Sequence, residues 1–188
     1  MLNVADLESP TAVSLTDDSS VVKAAQNDPA AFAALYRSYV TPVYRYIHSR
    51  VSDNADAQDL TAQVFLEALE GLPHYHDHGN FAAWLFTIVR RRVVDHWRRQ
   101  LPLSLDEVLD PADEQDLLSQ VSQDETLKQL QDLVAGLDSN EQELLRLRFA
   151  ARLTFEQIAT VLGRKEAAVK MALHRLLRRL EAEWEGER

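Results

Sequence analysis

Residues 153–180 read LTFEQIATVLGRKEAAVKMALHRLLRRL, and this segment carries the strongest structural pattern in the chain. Thr154 and Gln157 have the spacing of a capping box, which predicts the start of a short helix. Gly163 stands where a tight turn needs a positive φ, and a second helix is predicted to begin near Lys165. Its apolar residues recur every three or four positions, as Val169, Leu173, Leu176 and Leu180. The segment therefore predicts a helix-turn-helix, whose second helix can enter the major groove of DNA.

The second helix of this motif carries basic side chains away from its apolar seam, namely Arg164, Lys165, Lys170, Arg175, Arg178 and Arg179. Residues near the N-terminus of such a helix face bases, whereas later arginines follow phosphates. An ordinary helical hairpin with an exposed basic face would give a similar pattern, and Arg178 and Arg179 also suit the negative end of a helix dipole. The capping pair, the glycine and the excess of basic residues favour DNA binding.

Charge is distributed unevenly along the 188-residue chain, whose formal net charge is −10. Residues 29–100 carry a net charge of +1, residues 101–140 carry −9, and residues 144–180 carry +7. A basic C-terminal part thus follows an acidic connector, which suggests that this part meets a polyanion. Charge alone leaves open the alternative of a solvated, salt-bridged surface.

Composition excludes several classes of protein. The chain is 46% hydrophobic and 27% charged, with five glycines and six prolines, and no alternation of apolar and polar residues lasts for a strand length. These features predict an all-α globular protein and not a disordered chain. No apolar run approaches the roughly 20 residues of a membrane helix, and the acidic N-terminus lacks the basic region of a secretory signal. The absence of cysteine excludes disulfides and fits a cytoplasmic protein.

Residues 22–100 are predicted to form one helical domain after a flexible extension, residues 1–21. Asp28 and Pro29 predict an N-cap and a first helical residue, whereas Thr41-Pro42 predicts a break and restart. One helical face is expected to hold Phe32, Leu35, Tyr36 and Tyr39, and a later one Ala57, Leu60, Val64, Ala68 and Leu69. A last helix, from Phe81 to about Arg99, is apolar nearly all round in its first half and basic in its second half.

The acidic segment 101–125 is predicted to be a flexible linker to a second helical domain, residues 126–182, with an acidic tail at 183–188. Fully extended, the linker could span up to ~80 Å, more than two turns of duplex at about 34 Å each. The second domain shows two helical stripes before the helix-turn-helix. The first stripe is Leu127, Leu130, Val134 and Leu137, and the second is Leu144, Leu145, Leu147 and Phe149.

Both domains, in this order, resemble a bacterial sigma factor of the extracytoplasmic-function (ECF) group, over residues 22–182. Three segments resemble region two of that group: DPAAFAALYRSYVTPVYRYI, DAQDLTAQVFLEAL and FAAWLFTIVRRRVVDHWRR, which begin at residues 28, 56 and 81. Residues 137–180, LDSNEQELLRLRFAARLTFEQIATVLGRKEAAVKMALHRLLRRL, resemble region four. The combination is specific, because a helix-turn-helix alone is common but is rarely preceded by this pair of motifs.

The resemblance implies roles for particular residues. Seven residues are implied to dock on the clamp helices in the largest subunit of the RNA polymerase core: Asp56, Gln58, Asp59, Leu60, Thr61, Gln63 and Phe65. Eight residues are implied to contact the minus-ten promoter element and help to melt it: His78, Asn80, Phe81, Trp84, Arg90, Arg91, Trp97 and Arg98. Ten residues are implied to contact the minus-thirty-five element: Thr154, Arg164, Lys165, Glu166, Ala168, Lys170, Met171, His174, Arg175 and Arg178. The resemblance also implies contact with the flap of the second-largest subunit and a cognate anti-sigma factor.

The sequence departs from the family pattern at several of these positions. Arg91 stands where the family usually has asparagine, Met171-Ala172 replaces a usual serine–arginine pair, and Lys165 replaces a common serine cap. We therefore expect recognition of the minus-thirty-five element to depend mainly on phosphate contacts, including those of Lys170 and Arg175. For Trp84, core packing is favoured over a base contact, whereas for Trp97 the two are balanced.

Other functions remain as alternatives. His74, His76 and His78 lie beside Asp77 at a spacing that could bind a metal, but the segment also suits a solvated loop, and we predict neither metal nor cofactor. No nucleophile–base motif, phosphate-binding glycine loop or HExxH motif is present, so an enzyme is disfavoured. The main alternative is a stand-alone helix-turn-helix transcriptional regulator. A helical protein-binding adaptor would show no salt-dependent affinity for DNA.

Overall fold

The computed structural model describes residues 19–51, 53–76, 80–100 and 125–186, which form eight α-helices and no β-strand. The prediction of an all-α protein with a helix-turn-helix is confirmed. Outside the described residues lie most of the predicted extension (residues 1–18), the linker from 101 to 124, Ser52 of a predicted turn, and Asp77, His78 and Gly79.

The N-terminal module consists of four helices: α1 (Ser19–Asn27), α2 (Phe32–His48), α3 (Asn54–Gly71) and α4 (Phe81–Gln100). Asp28 caps a short 3-10 turn, Pro29–Ala31, by accepting a hydrogen bond from the N–H of Ala30 at 2.9 Å. Asp53 caps α3 in the same way. All four helices contribute buried side chains to one core, among them Val22, Leu35, Tyr39, Val64, Phe86 and Val89.

Two predictions for this module were wrong. Helix α2 runs through Pro42 without a break. Interior proline costs about 3 kcal/mol, but each large apolar side chain that α2 buries contributes about 1.5–3 kcal/mol, and Tyr39 and Val43 flank the proline in the core. Tyr36 is 43% exposed and so lies outside the buried face that was predicted to include it.

Helix α1 begins at Ser19, within the segment predicted as an extension. Val22 and Ala25 pack into the core, and Gln26 reaches the segment before α4. Its side-chain amide donates to the carbonyl oxygens of Leu72 at 3.1 Å and Tyr75 at 2.6 Å. Helix α1 therefore belongs to the module and holds the segment that leads into α4.

The C-terminal module contains the other four helices: α5 (Glu125–Ala135), α6 (Ser139–Leu145), α7 (Phe155–Leu162) and α8 (Glu166–Gly186). The predicted capping box of α7 is confirmed, because the Thr154 hydroxyl accepts from the N–H of Gln157 at 3.2 Å and the Gln157 side chain accepts from the N–H of Thr154 at 2.9 Å. Gly163 has a φ of 63° at the turn between α7 and α8. Local sequence therefore determines the geometry of the helix-turn-helix.

The stripes predicted upstream of the helix-turn-helix need correction at two residues. Phe149 is 50% exposed, because residues Arg146–Ala150 form a π-helical turn that shifts the register of the chain after α6. Leu130 is 45% exposed on α5, whereas Leu137 is buried as predicted. The side chain of Leu127 lies outside the described part of the chain.

We expect Gly163→Ala to lower the free energy of unfolding by about 1 kcal/mol, because alanine resists a positive φ. An added Cβ would meet no atom within 4 Å, so the cost comes from the backbone alone. Gly163→Asn should cost less, since asparagine adopts this conformation more readily. Urea unfolding followed by far-UV circular dichroism compares the three proteins, and equal stabilities would contradict this account.

Candidate functional site

The surface of α3 presents only part of the set predicted to dock on the polymerase. Gln58 and Asp59 are exposed, and Asp56 and Gln63 are half-buried. The other three members, Leu60, Thr61 and Phe65, are between 2% and 6% exposed and belong to the core of the module. These three residues therefore lie in the core beneath the surface that was predicted to dock.

Two exposed apolar side chains extend this surface. Leu66 is 61% exposed on α3, seven residues after Asp59, so the two lie on one side of the helix. The ring of Tyr36, on α2, packs edge-on against Phe65 with centroids 4.7 Å apart. Sequence reasoning missed both residues, although a leucine on the polar side of an amphipathic helix was a usable signal.

An aromatic cluster lies at the start of α4. Phe81 is buried and its ring lies 5.5 Å from Trp84 and 5.9 Å from Tyr75, whereas Trp84 and Tyr75 are half-buried. Asn80 precedes the helix, and its side-chain oxygen accepts from the N–H of Ala83 at 3.3 Å. Phe81 thus packs beneath the half-buried rings of Trp84 and Tyr75.

Basic residues follow along α4, and several are held by carboxylates. Glu67 on α3 forms ion pairs with both Arg91 and Arg92, the latter at 2.5 Å. Arg98 is exposed near the end of the helix, and Trp97 is half-buried beside His96. The indole N–H of Trp97 is buried without a hydrogen-bond partner in the described structure.

The outer face of α8 forms a continuous exposed stripe, which we call the reading stripe: Ala168, Met171, Arg175 and Arg178. These four residues follow one another at intervals of three and four and are all among those predicted to face the minus-thirty-five element. Met171 is 63% exposed. The exposed Lys165 and Glu166 stand at the N-terminal end of the same helix.

The remaining predicted residues of the helix-turn-helix are partly engaged within the protein. Lys170 and His174 are half-buried against Phe155, with the Lys170 ammonium 5.8 Å from the centre of the ring. Thr154 is exposed but its hydroxyl serves in the capping box. Arg164 lies 3.4 Å from the side-chain oxygen of Asn140. The outward face of the motif is therefore narrower than the sequence predicted.

The two modules touch along a polar seam centred on Glu143 of α6. One carboxylate oxygen accepts from the Tyr46 hydroxyl and from Nε of Arg90, both at 2.8 Å. The other oxygen lies 3.7 Å from a guanidinium nitrogen of Arg50. Only 10% of the Glu143 side chain and 8% of the Arg50 side chain are exposed. Of these four residues, sequence reasoning gave a functional role to Arg90 alone, since no local pattern links them.

The protonation states at the seam follow from burial and charge. Burial, reinforced by Glu143, raises the pKa of the Tyr46 hydroxyl, which keeps it a neutral donor. Burial opposes the charge on Arg90, but Glu143 and Tyr46 outweigh this effect and raise the pKa of Arg90 above its usual value. The seam therefore holds a charged donor and a neutral donor on one carboxylate.

The described residues contain no group of three or more His, Asp or Glu side chains placed to hold a metal ion. His74 and His76 are exposed, and His78 lies outside the described residues. None of the helices in the described ranges is both long and apolar enough to cross a membrane.

Comparison with known proteins agrees with this architecture. Residues 35–101 match the family Sigma-70 region 2, and residues 127–180 match the family Sigma-70, region 4. The chain is 38% identical over 166 residues to the ECF RNA polymerase sigma factor BldN of Streptomyces coelicolor, covering 85% of this chain and 62% of BldN. It is 30% identical over 149 residues to the RNA polymerase sigma factor YlaC of Bacillus subtilis, covering 75% of this chain and 84% of YlaC.

The fold is also similar to that of the sigma factor RpoE in its complex with the anti-sigma factor NepR from Bartonella quintana. The TM-score is 0.58 at 19% identity, over 84% of this chain and 98% of that chain. The two family matches, in this order along the chain, place it in the sigma-70 class of transcription-initiation proteins. Within that class, the chain belongs to the ECF sigma factor family.

Arg148 positions the segment that leads into the helix-turn-helix, and we expect Arg148→Lys to destabilise it by about 1–2 kcal/mol. The buried guanidinium donates to the carbonyl of Leu153 at 2.8 Å and lies 4.6 Å from the centre of the Phe155 ring. Lysine cannot reproduce both contacts, and burial already lowers the pKa of this group. Urea unfolding tests the change against Arg175→Lys on the exposed stripe, and equal losses would contradict the role.

Proposed function

We propose that this protein is an alternative sigma factor that binds the RNA polymerase core and directs promoter-specific initiation of transcription in the cytoplasm. The observation that carries the proposal is the pair of surfaces on one chain: the reading stripe on α8 and the aromatic, arginine-bearing face of α4. A stand-alone regulator needs the first surface only.

The reading stripe suits the minus-thirty-five element. Arg175 and Arg178 are exposed late in α8, where a recognition helix contacts phosphates, and the exposed Lys165 precedes its N-terminus, the end that meets base edges. Met171 presents an apolar group where the family usually has a hydrogen-bonding side chain. Base recognition by this helix would therefore rest on few hydrogen bonds, and phosphate contacts would supply most of the affinity.

The start of α4 suits an unpaired base of the minus-ten element. Extruding a base costs a few kcal/mol, and stacking on an aromatic ring returns about 1–3 kcal/mol per base. Trp84 and Tyr75 are half-buried over the buried Phe81, and their ring centroids lie 4.9 Å apart. The arginines further along α4 can follow the backbone of the opened strand.

The docking surface on α3 suits the clamp helices of the polymerase core. Gln58 and Asp59 supply polar groups, and Leu66 supplies exposed apolar surface that an interface would remove from water. The C-terminal module would contact the flap of the second-largest subunit. The acidic linker would join the two modules across the polymerase.

An anti-sigma factor is the partner we propose for the inactive state. RpoE, whose fold is similar, is bound by the anti-sigma factor NepR. A partner of this kind would cover exposed apolar side chains such as Leu66 and Phe149, and would compete with the polymerase for them.

Run-off transcription on a library of promoter fragments, with purified bacterial core polymerase, tests the proposed function. We expect specific transcripts only when core and this chain are both present, and weak binding of duplex DNA by the chain alone. Tight, sequence-specific duplex binding by the isolated chain, without binding to core, would instead identify a stand-alone regulator.

We expect Leu66→Asn to weaken binding to core polymerase about tenfold. A buried leucine side chain contributes about 1.5–3 kcal/mol, and 1.4 kcal/mol corresponds to about a tenfold change in affinity. Ala24→Asn, on the exposed side of α1, is the matched control and should bind normally. Titration of labelled chain with core measures both variants, and wild-type affinity in Leu66→Asn would rule out this contact.

We expect Arg175→Gln to weaken binding of the holoenzyme to all minus-thirty-five sequences about equally. Loss of one phosphate contact should also reduce the slope of log affinity against log salt by about 0.9. Arg37→Gln, exposed on α2, serves as the control. The measurement uses promoters randomised at that element, and a loss confined to one base position would show that Arg175 reads a base.

A further inference from the structure

The polar seam between the modules covers residues that the proposed function needs free. Besides its bond to Glu143, Arg90 donates to the carbonyl of Val161 on α7 at 3.3 Å. Asn80 donates to the hydroxyl of Thr160, also on α7, at 3.3 Å. Asn80 and Arg90 are both among the residues proposed to meet the minus-ten element, so the C-terminal module occupies that surface in this arrangement.

The closed arrangement also conflicts with simultaneous contact to both promoter elements. By their names, the elements lie about 25 base pairs apart, which is about 85 Å along duplex DNA. In this structure the two modules are instead in direct contact, through the 2.8 Å hydrogen bond between Arg90 and Glu143. The linker between α4 and α5, residues 101–124, could extend to about 80 Å. The chain therefore has the length to open, but must first break the seam.

The donors around Glu143 form a site for an oxyanion. Two guanidinium groups and a phenol converge on one carboxylate, and guanidinium binds carboxylate and phosphate with similar geometry. The fit to the carboxylate is incomplete, because Nε of Arg50 and one oxygen of Glu143 are buried without a hydrogen bond. A phosphate carries more acceptor oxygens and could satisfy these donors more fully. Arg50, Arg90 and Tyr46 all belong to the N-terminal module, and Glu143 comes from the other.

We propose that Glu143 is an autoinhibitory latch: its carboxylate occupies a DNA-phosphate site formed by Arg50 and Arg90, and must leave before the modules separate and bind the promoter. The inference rests on the proposed function for its DNA partner. The equilibrium between closed and open forms of the free chain does not depend on the proposed function.

The opening step can be measured on the full chain, which has no natural cysteine. Spin labels on cysteines introduced at the exposed Ala33 and Ala182 report the distance between modules. We expect Glu143→Gln to move the distance distribution to longer values, because a neutral amide cannot compensate the charge of the buried Arg50 guanidinium and loses the ion pair with the partly exposed Arg90. Arg90→Gln should also open the chain, because it removes the other partner of the Arg90–Glu143 ion pair.

Glu185→Gln, exposed on α8, removes one negative charge elsewhere in the same module and should keep the wild-type distribution. Far-UV circular dichroism establishes that each variant keeps its helices. Wild-type distances in both Glu143→Gln and Arg90→Gln would overturn the latch.

The phosphate site is tested with single-stranded DNA of 30 thymidines, a probe that carries phosphates but no promoter sequence. We expect Glu143→Gln to raise affinity about tenfold, and to steepen the slope of log affinity against log salt by about 0.7 for each phosphate gained. Adding Arg50→Gln to Glu143→Gln should abolish the gain. Unchanged affinity in the single variant, or a gain that survives in the double variant, would overturn the site.

Failure of the latch and failure of the proposed function give different results. If the wild-type chain supports promoter-specific transcription but Glu143→Gln leaves the distance between modules unchanged, the latch alone is wrong. If Glu143→Gln opens the chain and raises DNA affinity while neither protein binds core polymerase, the latch stands and the proposed function is wrong.

Discussion

One buried carboxylate determines how the two modules of this protein meet. Glu143 lies between Arg90 and Arg50, with the Tyr46 hydroxyl as a third donor. A buried ion pair contributes little net stability when it is intact, but loss of one partner costs about 3–5 kcal/mol. Such a contact holds two surfaces in register while they are together, and its polar groups are readily hydrated once they part. A seam of this chemistry therefore suits an arrangement that opens as a unit.

Features that depend on a few neighbouring residues could be predicted from the sequence. The Thr154–Gln157 capping box and the positive φ of Gly163 involve residues at most four positions apart, so local chemistry determines them. The predictions at Pro42 and Phe149 were wrong for the opposite reason. Packing of α2 into the core overrides the cost of the proline, and a π-helical turn changes the period that the stripe assumed. The pattern of apolar residues shows neither effect.

The candidate site shows the same division between local and distant effects. Motif resemblance located the α3 surface, but a motif does not separate residues that face a partner from those that support them, and Leu60, Thr61 and Phe65 are buried. Arg50 and Glu143 were not predicted at all. The seam joins residues 97 positions apart in one hydrogen bond and 53 in another, and no periodicity in a single sequence encodes such a pairing. Only the arrangement of both modules reveals it.

Several acidic residues of the chain form ion pairs with its own basic residues. Its basic surfaces are partly paired with its own carboxylates: Glu67 holds Arg91 and Arg92, Glu141 holds Arg179, and Glu143 holds Arg90. Pairs of this kind at the surface contribute only about 0–1 kcal/mol, so another anion can replace Glu67 or Glu141 at little cost. Glu143 differs because it is buried together with Arg50, at the contact between the modules, and in the proposed latch an exchange there requires the modules to separate. If the latch holds, the arginines at Glu143 become available to DNA only when the modules separate, whereas those at Glu67 and Glu141 are available to any anion that competes with the carboxylate.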